Sequence, residues 1–157
     1  MKIKLLFIGK TNFSFVEEAM NMYQSRIGHF TEFEKICIPD IKNTRNMPVD
    51  EIKKKEGQLM AKYFGLNEYI CLLDENGTIM HSEGFSDFLQ KKTGQNTKSL
   101  IFVIGGAYGF SPEIYQRADF KLSLSKMTFS HQIIRIFFLE QLYRAYTIIN
   151  GLPYHNQ

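Results

Sequence analysis

No stretch of this 157-residue chain approaches the ~20 consecutive apolar residues of a membrane span, so no membrane partner is expected. The charged opening MKIKLLFIGK holds an apolar run over residues 5–8 only, and no small-residue cleavage site follows it. It reads as a first strand rather than a targeting segment. Charge of one sign is also scarce. A formal net charge of +3 is far from the balance of a histone-like binder, and it permits a nucleic-acid partner without demanding one. Cysteine is limited to Cys37 in KICIP and Cys71 in YICLL, each inside an apolar run. Two such thiols read as buried small hydrophobes and not as a disulfide framework, which places the chain in a reducing cytoplasm. The four histidines, His29, His81, His131 and His155, lack ligand spacing and no cysteine joins them, so no metal site is expected. Tryptophan is absent, while fourteen Phe and eight Tyr give an aromatic-heavy core with some rings available as stacking surfaces. Internal repeats and low-complexity segments are missing too.

The length fits one domain over residues 1–157, large enough to bury about two thirds of its unfolded surface. Hydrophobic residues at 44% and charged residues at 22% are ordinary for a soluble globular chain. Residues 2–8 read as a strand stopped by Gly9. Ser14 is positioned to cap a helix to about Arg26, with Phe15, Ala19, Met20, Tyr23 and Ile27 on one face and Gly28 at its end. A second strand over 32–38 closes at Pro39-Asp40, and the polar connection 39–48 carries Lys42 and Arg45. Pro48 suits a helix start, and the pattern runs to Phe64 with Lys53, Lys54 and Lys55 on a face that is either solvated or an RNA contact. A third strand over 68–73 is stopped by the turn residues Asp74 to Gly77, and a short helix runs from Ser82 to about Lys91. Apolar residues 100–104 give a buried strand, Ser111-Pro112 a short helix, residues 121–125 a further strand, and 130–150 the last helix. Strand and helix alternate, so the fold class is α/β with a mostly parallel sheet of about five strands.

Chemistry is best sought where the 100–104 strand breaks at Gly105-Gly106 and where residues 121–125 feed the loop Leu124, Ser125, Lys126, Met127, Thr128, Phe129. Adjacent glycines let backbone approach a ligand, and ligands bind at the carboxyl edge of open α/β sheets. The GGAYG turn is neither a dinucleotide fingerprint, which needs G-x-G-x-x-G opening a long helix, nor a P-loop, which needs Gly-Lys-Ser/Thr. By itself it is equally a tight turn without a ligand, and the 124–129 loop is equally a cap on the core. The last helix is apolar over more than one face, through Ile133, Ile134, Phe137, Phe138, Leu142, Ala145, Ile148 and Ile149. Such a helix must be covered twice, by its own sheet and by another element or a second subunit. Arg135, Glu140 and Arg144 interrupt that surface, and a buried Arg there needs Glu140, a carbonyl or a phosphate as partner. The tail Pro153-Tyr154-His155 offers a ring and an imidazole, but chain ends are also where fraying concentrates.

Taken together, FVIGGAYG (102–109), LSLSKMTFSHQ (122–132), RIFFLEQLYRA (135–145) and GLPYH (151–155) resemble the RlmH family of SPOUT-class methyltransferases. The opening MKIKLLFIGK, the KKKEG of the second helix and the CLLDENG turn fit as well, so the resemblance runs the full length. It implies a trefoil-knotted α/β SPOUT fold, which physics alone argues against because true knots are nearly absent among folds. It also implies a homodimer packing through the last helix, with S-adenosylmethionine bound in the knot and no metal. Matched motif by motif, the donor contacts would be Leu73, Gly105, Leu124, Ser125, Lys126, Met127, Thr128 and Phe129. Arg144, Tyr154 and His155 would serve activity, Arg144 steadying a developing anion or a phosphate and His155 or Tyr154 positioning the base. The implied reaction is methylation at N3 of a pseudouridine in helix 69 of 23S rRNA on assembled ribosomes. Lys42, Arg45, Lys53 to Lys55 and Lys126 are then candidates for phosphate contact. A SPOUT-like enzyme for another RNA and a non-catalytic ribosome-binding protein are the competing readings.

Overall fold

The computed structural model describes residues 1–95 and 97–156. Five strands form one sheet in the order β2-β1-β4-β3-β5, with every neighbouring pair parallel. They are β1 (Lys2–Ile8), β2 (Phe33–Ile38), β3 (Glu68–Ile79), β4 (Ser99–Ile104) and β5 (Phe120–Ser123). The helices are α1 (Ser14–Ile27), α2 (Val49–Ala61), α3 (Ser82–Gly94), α4 (Pro112–Arg117) and α5 (Ile133–Ile149). β4 is central and buried at every position, which is why SLIFVI is a continuous apolar run with no alternation.

Each connection reverses direction along the sheet, so one handedness of crossover sends successive helices to opposite faces. Side-chain parity follows. Ile3, Leu5, Phe7, Leu100, Phe102 and Ile104 face α1, α3 and α5, whereas Leu6, Ile8, Ile101 and Val103 face α2 and α4. Phe102 anchors the three-helix side, with its ring 4.6 Å from Phe138 and 5.9 Å from Phe85. Lys4 and Glu68 make an ion pair of 2.5 Å that ties β1 to the start of β3.

Several sequence expectations are corrected. Ser14 is the first helical residue and not a cap: Phe13 occupies the N-cap, with no side-chain hydrogen bond. Phe15 faces solvent and Val16 takes its place in the core. Residues 74–77 do not end β3, which continues to Ile79 beyond a register shift between Leu73 and Thr78. Cys71 is buried as expected, but Cys37 is exposed, because β2 is an edge strand that leaves one flank open. By contrast Ser111 does cap α4, its hydroxyl accepting from the Ile114 N–H with Pro112 in the first turn.

The start of α5 is stitched to the end of β1. Gln132 accepts from the Asn12 N–H at 3.0 Å and donates to the Lys10 carbonyl at 2.9 Å. Arg135, fully buried, donates to the carbonyls of Ile8 and Gly9 at 2.8 and 3.1 Å and to the Thr11 hydroxyl at 3.0 Å, with its guanidinium over the Phe7 ring. Its partners are therefore two carbonyls and a hydroxyl, and not Glu140, which pairs with Arg144.

Candidate functional site

A cavity of about 630 Å3 opens at the carboxyl edge of the sheet. Its floor is Leu73 in β3, Ile104 at the end of β4 and Leu122 in β5, and its walls are the bulged residues 74–76 of β3 and the loops that follow β4 and β5. Leu73, Gly105, Leu124, Ser125, Met127, Thr128 and Phe129 all line it, so seven of the eight residues matched as donor contacts come together. Lys126 is the exception: it lies in the same loop but is exposed and is not part of the lining.

The glycine turn is held by a short bridge in which the Gly109 N–H donates to the Gly106 carbonyl at 3.2 Å, with Gly109 at φ +80°. The space left by the missing side chains is filled from within the chain. A Cβ on Gly105 would lie 3.1 Å from the Phe110 ring, and one on Gly106 would lie 2.5 Å from the Glu56 carboxylate. The facing loop is braced locally, with the Met127 N–H donating to the Ser125 hydroxyl at 2.9 Å and the Ser123 hydroxyl to the Ser125 carbonyl at 2.9 Å.

Two ties close the walls. The Tyr115 hydroxyl donates to Asp74 at 2.5 Å, and the Thr128 hydroxyl donates to Glu75 at 3.1 Å. Burial, then the Asp74 carboxylate beside it, pushes the Tyr115 phenol above its ordinary range, so it stays a proton donor. Among the described residues the lining carries the carboxylates Asp74 and Glu75 and no Lys or Arg. An apolar floor, backbone-rich walls and negative charge suit a ligand with a flat apolar part and a positive centre.

Arg144, Tyr154 and His155 form a second cluster along α5. Arg144 donates to Glu140 through Nε at 3.0 Å and Nη2 at 2.5 Å, and Tyr154 donates to the same oxygen at 3.1 Å. The Arg144 guanidinium lies 4.8 Å from the centre of the Tyr154 ring, which meets Tyr143 edge-on. Because guanidinium can only donate, the 3.2 Å contact from Arg144 Nη1 makes His155 Nδ1 an acceptor. The ring proton then sits on Nε2, which donates to Glu83 at 2.8 Å. The Glu140 carboxylate raises the Arg144 pKa further, and burial, followed by Tyr23, raises that of Tyr154. The Glu83 carboxyl is held below its usual range by its own backbone N–H and by His155. The tail is docked and not frayed.

The two clusters are not brought together within one chain. Ile134 lines the cavity, and Arg144 lies ten residues further along α5, about 15 Å at 1.5 Å per residue. Sequence reasoning missed Tyr115, Asp74 and Glu75 as wall residues, and Glu83 and Glu140 as tail anchors. Asp74 and Glu75 carried one usable signal, their place directly after an apolar run; the Tyr115 and Glu83 contacts span 41 and 72 residues, and no local pattern encodes them.

Residues 1–155 match the family model described as "Predicted SPOUT methyltransferase". Over all 157 residues, and over the whole of each relative, the chain is 50% identical to proteins of Christiangramia forsetii and Parabacteroides distasonis, both named "Ribosomal RNA large subunit methyltransferase H". Among solved structures, a probable methylase family protein from Haemophilus influenzae superposes with a TM-score of 0.52 at 10% identity, covering 95% of this chain and 66% of that one. At that identity the likeness shows the fold alone.

Proposed function

The chain belongs to the SPOUT methyltransferase family, and from that premise we propose that it transfers a methyl group from S-adenosylmethionine to large-subunit ribosomal RNA. The observation that carries this is the cavity at the sheet edge, whose carboxylates and apolar floor fit a flat, positively charged donor. Leu73, Gly105, Leu124, Ser125, Met127, Thr128 and Phe129 would hold it, and the trefoil threading implied by the family belongs to the same proposal. When bound, the donor supplies a methyl group activated by its sulfonium. The chain's part is alignment and exclusion of water, since in-line displacement gains most from fixed geometry. The finer assignment, N3 of a pseudouridine in helix 69 of 23S rRNA on assembled ribosomes, rests on the RlmH-like tail motif. An imide nitrogen must lose its proton to attack. Arg144 is a fixed cation suited to steady the resulting anion, and His155, with Nδ1 engaged by Arg144, orients the base rather than deprotonating it.

Reaction needs donor and nucleophile about 3–3.5 Å apart, and Arg144 lies about 15 Å along α5 from Ile134 of its own cavity. A homodimer resolves this by facing one protomer's tail to its partner's cavity. An exposed aromatic pair at the cavity supports that arrangement: Phe129, which lines it, meets Phe137 at 4.9 Å. Lys42, Arg45 and Lys54 are exposed and available to phosphate, whereas Lys55 is paired with Glu51. Because its substrate is the ribosome, the protein would work in the cytoplasm. Among the described residues no helix is long and apolar enough to cross a membrane.

The deciding experiment is mass spectrometry of 23S rRNA after ribosomes are incubated with protein and donor. One added methyl on pseudouridine is expected; methylation at another nucleotide would move the assignment to another RNA site. No methylation, together with no donor binding by calorimetry at millimolar concentration, would leave the non-catalytic reading.

A further inference from the structure

Glu56, on α2, has no part in the cavity lining or the tail cluster, yet it is the one acidic side chain in the described core. It is 6% exposed, and its Oε2 is buried without a hydrogen-bond partner. Its carboxylate lies directly behind Gly106, within 2.5 and 2.6 Å of where a Cβ on that residue would stand. No Lys or Arg pairs with it among the described residues; the charge that acts on it is the carboxylate of Asp40, which sits against Gly9 at the end of β1. Glu56 therefore lies where β1 and β4 end side by side, the two strands whose connections leave on opposite faces of the sheet. That crevice is where open parallel sheets receive ligands.

An unpaired buried carboxyl is costly, and a native fold seldom retains one without a use. We propose that Glu56 is a positioning residue for the glycine turn, a stop behind Gly106 whose free oxygen accepts a turn N–H once the donor is seated. This rests on the donor-site reading above. The cavity side of the turn touches the donor, and the Glu56 side sets how far the turn can retreat from it. Gly106 must then lack a side chain for the carboxyl's sake, and not for the ligand's. Burial, and secondarily Asp40, raises the pKa of this carboxyl.

The test compares the wild type with Glu56→Met and Glu56→Gln for binding of S-adenosylmethionine by calorimetry, for Tm without donor, and for hydrogen exchange at residues 105–109. Met fills the same space without a polar group, so its Tm should equal or exceed that of the wild type. Its donor affinity should fall roughly tenfold, the worth of about one hydrogen bond to a charged or buried group. Donor-induced protection of the turn amides should be lost in the same variant. Gln keeps an acceptor oxygen in place and should recover most of the affinity. The inference is overturned if Glu56→Met binds donor like the wild type or melts below it, the latter marking a merely structural carboxyl. It is overturned equally if Gln binds as weakly as Met. Failure of the wild type itself to bind donor removes the donor-site reading, and the inference with it.

Discussion

Two arginines of one helix show how position decides what a charge does. Arg135 is fully buried and spends its hydrogen bonds on the carbonyls of Ile8 and Gly9, whereas Arg144 is half-buried and held by a carboxylate, a phenol ring and an imidazole. Removing the first should harm the fold. Arg135→Met leaves two buried carbonyls short of donors and is expected to cost about 2–4 kcal/mol, read by urea denaturation. Removing the second should harm the reaction. Arg144→Ala is expected to lower methylation by about 10²-fold or more while donor affinity stays near wild type, because its ion pair with Glu140 lies away from the cavity. An equal loss of dimer stability would reassign Arg144 to a structural role.

Among the elements, the sheet carries an electrostatic tether that should report on pH. Burial works to raise the Glu68 pKa, but the Lys4 ammonium and the Gly65 N–H outweigh it and hold the carboxyl below its ordinary range. A depressed acid stabilises the fold above its unfolded-state pKa, and that contribution is lost as pH falls through the folded-state value. The wild type should therefore be more stable than Glu68→Gln at pH 7, and the gap should narrow as pH falls below the ordinary carboxyl range. Paired thermal melts across that range would check it, and a gap independent of pH would show that the pair contributes by packing alone. β4 and its apolar run were legible as a strand because a centre strand needs no alternation; the continuation of β3 to Ile79 was not, since residues 74–77 spell a turn and bulge out of the ladder before Thr78 and Ile79 return to pair with β5.

For the whole molecule, the proposal that one protomer's tail faces its partner's cavity can be tested by complementation. Chains carrying Arg144→Ala and chains carrying Gly106→Val should each be inactive alone, the second because a side chain at 106 collides with Glu56. Mixed and re-associated, they should regain activity, since a heterodimer holds one intact cavity facing one intact tail. A mixture as inactive as its parents would place both halves of the site in a single chain. The exposed Phe129–Phe137 pair gives a second handle on the same point, because a carboxylate at Phe137 should shift sedimentation toward monomer.

The α/β class, the five strands and the loop residues around the cavity were set by local signals: apolar runs, helix starts and the two loops that follow strands in the motif-bearing stretch. Tertiary structure decided the rest, for a physical reason in each case. Cys37 is exposed because β2 became an edge, Lys126 turned out of a loop whose neighbours turn in, and the tail docked because Glu83 and Glu140 lay within its reach. That Gly106 makes room for Glu56 is likewise invisible in a glycine-rich turn, since the side chain that needs the space comes from fifty positions earlier in the chain.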